Sequence, residues 1–139
     1  IMTTKGAFTR VRILGPVRKE TQIELALTDS VKLGITPPIR DSGNLDGSPG
    51  VALVGPNGTI TLDKGAIVAL RHIHMTPADA ERGGGKDKEI VQVECLGERG
   101  MIMGQVLVRV NDQYALEMHV DTDEGNAACL KTGDMIRIV

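Results

Sequence analysis

Short runs of β-branched and aliphatic residues recur along the chain, each bounded by Gly, Pro, Asp or Asn. They are RVRILG (10–15), QIELAL (22–27), GVALVG (50–55), GTITL (58–62), AIVALRHIHM (66–75), EIVQVECL (89–96), MGQVLVRV (103–110), YALEMHV (114–120) and DMIRIV (134–139). Runs of this kind between turn formers predict strands. VGPNG (54–58) predicts a tight turn between two of them. Three stretches change the period and predict short helices. TPADAERG starts from the cap Thr76, with Pro77 first and Asp79 third. TDSVKLG runs from a Thr28 cap to a stop at Gly34. DTDEGNAACLKTG offers caps at Asp121 to Asp123 and a stop at Gly133.

Many short strands at this spacing predict a mainly β fold of barrel or sandwich type. The pattern also repeats. A shift of 95 residues lays residues 11–35 over residues 106–130, so Ile13 meets Val108, the capped helices coincide and Glu24 falls on His119. A duplicated small β-barrel accounts for this. TPPIRDSGNLDGSPG (36–50) predicts a linker or ordered loop. The expected division is therefore 1–49, the later part of a first barrel plus linker, and 50–139, a second similar barrel, with strands exchanged between them as a variant.

Composition narrows the chemistry. With Phe8 and Tyr114 as its aromatics, the 139-residue chain must build an aliphatic core. A net charge of −2 supplies no basic field for nucleic acid, and two aromatics supply no stacking platform. No apolar run nears the roughly 20 residues that span a bilayer, so no membrane partner is expected. Cys95 and Cys129 are too few for a disulfide framework and read as small packed residues. Ile1, within IMTTKG, is not a natural start, so residues upstream are expected.

The candidate chemistry lies in RHIHMTPADA (71–80), which holds two of the three histidines. On a strand, His72 and His74 share a face about 6.6 Å apart at the backbone, and their imidazoles can converge on one ion. Ile73 between them points to the opposite face and packs. His119 has the same setting, a strand end before a capped helix. Three histidines with a fourth position open is the composition of a catalytic zinc site. Two half-exposed strand histidines are the plainer alternative.

RHIHMTPADA, GERG (97–100), LEMHVDTDEGNAA (116–128), RILGPVRKETQIEL (12–25) and SGNLDGSPG (42–50) closely resemble the bacterial phosphotransacylases of the propanediol-utilisation type, the phosphate propanoyltransferase family of bacterial microcompartments. The resemblance implies two similar β-barrel domains around a two-metal site. It implies reversible exchange of a short acyl group between coenzyme A and inorganic phosphate, with zinc as cofactor. It carries over His72, His74 and His119 as ligands of one zinc and Glu24 as a ligand of the other. The second zinc's H-x-H pair has no match here and is expected upstream. Arg12, Leu14, Arg18, Gln22 and Ser42 match the region around coenzyme A, and Asn126 matches the active-site region. Arg109, on a strand near His119 in sequence, is the candidate for phosphate; a plain surface arginine is the alternative. ERGGGKDKE (81–89) departs from the family's usual turn.

No cysteine or serine nucleophile stands out, so direct attack by phosphate is expected. A zinc hydrolase using the same histidines, and a non-catalytic metal-stabilised barrel, are the other two readings. The resemblance implies a location in the bacterial cytoplasm, in the microcompartment lumen. It leaves a homodimer, and shell or cargo partners, open.

Overall fold

The structure, a computed structural model, describes residues 1–83 and 85–139, so one residue of the 81–89 stretch, Gly84, lies outside the described residues. The fold is mainly β with three short helices among the described residues. The chain forms two compact units, Ile1–Ala69 and Leu70–Val139.

The first unit contains β1 (Ile23–Glu24), α1 (Leu27–Leu33), β2 (Ile39–Arg40), β3 (Ala52–Gly55), β4 (Gly58–Thr61) and β5 (Ala66–Ala69). β5 is the middle strand, parallel to β1 on one side and β2 on the other. A strand covered on both faces needs a continuous apolar run, and Ala66, Ile67 and Val68 supply it. β3 and β4 form the hairpin predicted at VGPNG, with Gly55 opposite Gly58. At the foot of that hairpin a Cβ on Gly50 would stand 1.7 Å from the Leu62 carbonyl oxygen, so no larger residue fits there. Ile23, Leu25, Leu33, Val51 and Ala66 make the core, with Phe8 packed against it.

The second unit contains β6 (His72–Met75), α2 (Pro77–Gly83), β7 (Ile90–Cys95), β8 (Met101–Val110), β9 (Glu117–His119), α3 (Thr122–Ala127) and β10 (Ile136–Ile138). These strands make one sheet in the order β10-β7-β8-β6-β9. β6 runs parallel to β8 and antiparallel to β9. Ile73, Met75, Val93, Cys95, Met103, Val106, Val108 and Ala128 form the core on one face. Among the described residues no pairing joins β10 to β9, so the sheet is open.

Several expectations need correction. Residues 10–15 form no strand: Ile13 and Leu14 are 94% and 70% exposed, and Arg10 adopts φ 55°. β-branched composition cannot make a strand where no neighbour accepts its hydrogen bonds. The run 66–75 is not one strand but two, because β5 pairs within the first unit and β6 within the second. The boundary between the two compact units, after Ala69, falls within that run. The cap of α1 is Ala26, not Thr28; Asp29 accepts from the Ala26 N–H, and Gly34 closes the helix at φ 65° as expected. α3 is capped by Asp121 as expected but stops at Ala128, because Cys129 takes the left-handed turn at φ 55° before Gly133 is reached. Cys129 is exposed, whereas Cys95 packs in the core, where burial pushes its thiol pKa up.

Candidate metal centre

Register brings the three histidines together. β6 and β9 are antiparallel with His72 opposite His119, Ile73 opposite Met118, and His74 opposite Glu117. Alternation then sends Ile73 and Met118 to the core and the other four to the opposite face. On the other side of β6, His74 is paired with Arg109 of β8, which puts Arg109 on the histidine face as well. The β6–β9 pair is held at the end where His72 meets His119. Arg71, just before His72, pairs with Glu124 of α3 at 3.3 Å, and Glu124 belongs to a reciprocal capping box with Asp121, which fixes the turn after His119.

The nitrogens converge. The candidate ligand atoms of His72, His74 and His119 all lie within 4.8 Å of one another. His72 Nδ1 is 2.7 Å from the Leu70 carbonyl oxygen, which can only accept, so Nδ1 carries the proton and Nε2 keeps its lone pair. His119 Nε2 is 2.9 Å from a Glu117 carboxylate oxygen and by the same reasoning donates, leaving the lone pair on Nδ1. Those two lone-pair atoms, His72 Nε2 and His119 Nδ1, face each other at 3.1 Å. Two acceptors so close need a cation or a shared proton between them. A tetrahedral ion with Zn–N of about 2.0–2.1 Å would hold its nitrogens roughly 3.3 Å apart.

The third nitrogen completes the case. His74 Nε2 is buried and has no hydrogen-bond partner among the described residues. Burial first, then the neighbouring His72 and His119 and the Arg109 charge, pull the His74 pKa from 6.5 to about 4. At neutral pH the ring is therefore uncharged, which is the ligand form. A neutral, half-buried imidazole whose Nε2 is buried and unpaired, beside two others, fits a metal ion and is costly to keep without one. Glu117 and the Leu70 carbonyl are the outer partners that fix ring orientation in such centres.

The remaining sequence candidates are distributed as follows. Arg18 and Gln22 both donate to Ser42 Oγ, at 2.9 and 2.8 Å, so these three come together in the first unit. Gln22 also donates to Glu24 and accepts from the Gly43 N–H, which ties Glu24 into the same network. Arg12 and Leu14 lie on the exposed segment 10–21. Asn126 is exposed on α3, where its carbonyl accepts from Cys129.

Sequence reasoning passed over Glu117 and Tyr114. The E-x-H spacing before His119 was a usable signal, since i and i+2 share a strand face. Tyr114 stacks flat on His74, with ring centroids 3.9 Å apart and planes 11° from parallel. Nothing in the local pattern foretells that contact. No helix among the described residues is long and apolar enough to cross a membrane.

With this geometry in place, the likenesses to known proteins can be set beside it. The family model for phosphate propanoyltransferase matches residues 1–131. A phosphate propanoyltransferase of Thermotoga maritima is 56% identical over all of this chain and 67% of its own length. One of Rhodopseudomonas palustris is 52% identical over 96% of this chain and 59% of its own length. One of Lachnoclostridium phytofermentans is also 52% identical, over 96% of this chain and 62% of its own length. The chain thus spans about three fifths to two thirds of the relatives it matches.

Proposed function

The chain belongs to the phosphate propanoyltransferase family, and on that premise we propose that it exchanges a short acyl group, propanoyl in the first instance, between coenzyme A and inorganic phosphate. In the forward direction a phosphate oxygen attacks the thioester carbonyl carbon, the C–S bond breaks, and coenzyme A leaves as its thiolate. The observation that carries the reading is the convergence of three imidazole lone pairs at His72, His74 and His119. Imidazole nitrogen suits zinc. A zinc ion held there would supply Lewis-acid polarisation of the carbonyl and a soft partner for sulfur.

The chain's own residues do the rest. Arg109 binds phosphate: it lies on the histidine face beside His74, and a planar guanidinium pairs with two phosphate oxygens at once. Arg12, Leu14, Arg18, Gln22 and Ser42 bind coenzyme A; the Arg18–Ser42–Gln22 cluster and the exposure of residues 10–21 support that assignment. Glu24 ligates a second zinc, with ligands that these 139 residues do not include, and Asn126 serves the reacting region. The duplicated-barrel architecture, divided at residues 49 and 50, belongs to the same reading. Its support is the recurrence of β1–α1 as β9–α3 at a spacing of 95 residues. A place in the microcompartment lumen rests on the resemblance.

The test is release of free coenzyme A from propanoyl-CoA by zinc-loaded protein, with and without phosphate. Release that requires phosphate and yields propanoyl phosphate is the expected result. Release at the same rate without phosphate makes the protein a zinc thioester hydrolase and overturns the proposal. Zinc uptake with no turnover of any thioester leaves a metal-stabilised fold.

A further inference from the structure

We infer that Tyr114 is a positioning residue of the metal centre: its ring, stacked on the His74 imidazole, holds Nε2 turned toward the other two histidines. The inference rests on the reading of the triad as a metal site. An imidazole joins Cβ through a torsion with broad, nearly two-fold preference, so an unsupported ring can turn its other nitrogen forward. His72 and His119 are each held by a hydrogen bond, to the Leu70 carbonyl and to Glu117. Among the described residues no hydrogen bond holds the His74 ring through its outer nitrogen, and its Nε2 is buried without a partner. The flat stack at 3.9 Å is what constrains this ring.

The loop is built to deliver the tyrosine. Between β8 and β9, residues 111–113 and 115–116 are exposed, and Tyr114 alone of residues 111–116 is partly covered. The Tyr114 N–H donates to the Asn111 carbonyl at 3.1 Å, the Gln113 N–H donates to Asn111 Oδ1 at 2.9 Å, and the Asn111 N–H donates to the Met75 carbonyl at 3.0 Å. Asn111 therefore anchors a tight turn to the end of the strand that bears His74. The Arg109 guanidinium carbon also lies 5.9 Å from the Tyr114 ring centre, within cation–π range. One side chain thus touches both a metal ligand and the arginine next to it. A surface loop with no role at the centre would have no reason to lay its single aromatic there.

The test uses Co²⁺ alone as the probe, with the chain's sole tyrosine and absence of tryptophan as a second handle. Co²⁺ affinity and the visible ligand-field spectrum are measured for the unaltered protein, Tyr114→Phe and Tyr114→Leu, each checked by circular dichroism. Loss of an outer partner of a ligand weakens metal binding by about 10–100-fold, and Tyr114→Leu is expected at the lower end with a shifted spectrum. Tyr114→Phe keeps the stack and should restore both. Unaltered affinity and spectrum in Tyr114→Leu would overturn the inference while leaving the metal site intact. No Co²⁺ binding by the unaltered protein would instead remove the metal reading on which it rests. Should Tyr114→Leu not fold, Zn²⁺ titration of tyrosine emission in the unaltered protein decides. A change saturating at one equivalent is expected, and no change overturns the inference.

Discussion

β1–α1 and β9–α3 are the same local device, 95 residues apart: a short strand, an extended cap residue and a helix of about two turns. Each strand ends in a residue type that binds metal, Glu24 in one and His119 in the other. What differs is the strand alongside. β9 pairs with β6, which places His72 directly opposite His119. β1 pairs with β5, which places Ile67 opposite Glu24. The first arrangement gathers three imidazole nitrogens; the second leaves an exposed carboxylate hydrogen-bonded to Gln22. The same strand–cap–helix step ends its strand in a metal-binding residue type both times, and the neighbouring strand decides what is gathered beside it.

The largest expected effect tests that contrast directly. His74→Ala removes one of three ligands and should weaken Co²⁺ binding by more than about 100-fold, since even an outer partner is worth about 10–100-fold. Glu24→Ala should leave the affinity of the triad within about twofold. Isothermal or optical titration of both variants checks this. Equal losses would show that the two strand ends are not independent sites.

Acid should separate the units next. All three histidines lie in Leu70–Val139. In metal-free protein, burial and the adjacent histidines hold His74 neutral down to about pH 4, against an ordinary value of 6.5. Between those values the unfolded chain binds a proton that the folded chain refuses. Stability is therefore fully present above about pH 6.5 and lost as pH falls toward about 4. Hydrogen exchange on the apoprotein between about pH 7 and 5 should show β6 and β9 losing protection while β5 keeps it. His74→Gln should flatten the decline, and an unchanged decline would assign it to other groups.

Much of the centre was legible in the sequence. The H-x-H spacing sets His72 and His74 on one face whatever strand they join, and His119 shared their strand-to-helix setting. Tyr114 was not legible, because its contact with His74 is made by a loop and depends on how Asn111 anchors to Met75. The strand expected at residues 10–15 failed for a related reason: strand propensity is local, but a strand needs a partner. The end of α3 was misplaced because a glycine at 133 is the usual left-handed stop, yet Cys129 adopts that conformation first.

A smaller effect sharpens the comparison at the helix caps. Asp121 and Glu124 cap each other's backbone N–H groups at 2.8 and 3.0 Å. In α1 the cap is Ala26, which has no side-chain acceptor, so Asp29 supplies only half of the exchange, at 3.4 Å. Asp121→Ala should cost about 1 kcal/mol in urea denaturation, and Asp29→Ala roughly half of that. A cost at Asp29 as large as at Asp121 would mean that the reciprocal box adds nothing.

The smallest effect is expected at Ile13, and its foil is Val108, the residue it meets in the 95-residue shift. Val108 lies in β8 with no exposed surface, packed in the core of the second unit. Ile13 is 94% exposed on a segment without strand pairing. The hydrophobic contribution follows the area withdrawn from water, not the residue's place in a repeat. Val108→Ala deletes buried methyls and leaves a cavity, so it should cost about 2 kcal/mol. Ile13→Ala removes side-chain atoms already in water, so the shift should stay within about 0.5 kcal/mol. Parallel urea melts of the two variants, with the slope compared as well as the midpoint, make the measurement. A loss at Ile13 approaching that at Val108 would mean the segment is covered in solution, and residues 10–15 would then regain their claim to be the counterpart of β8.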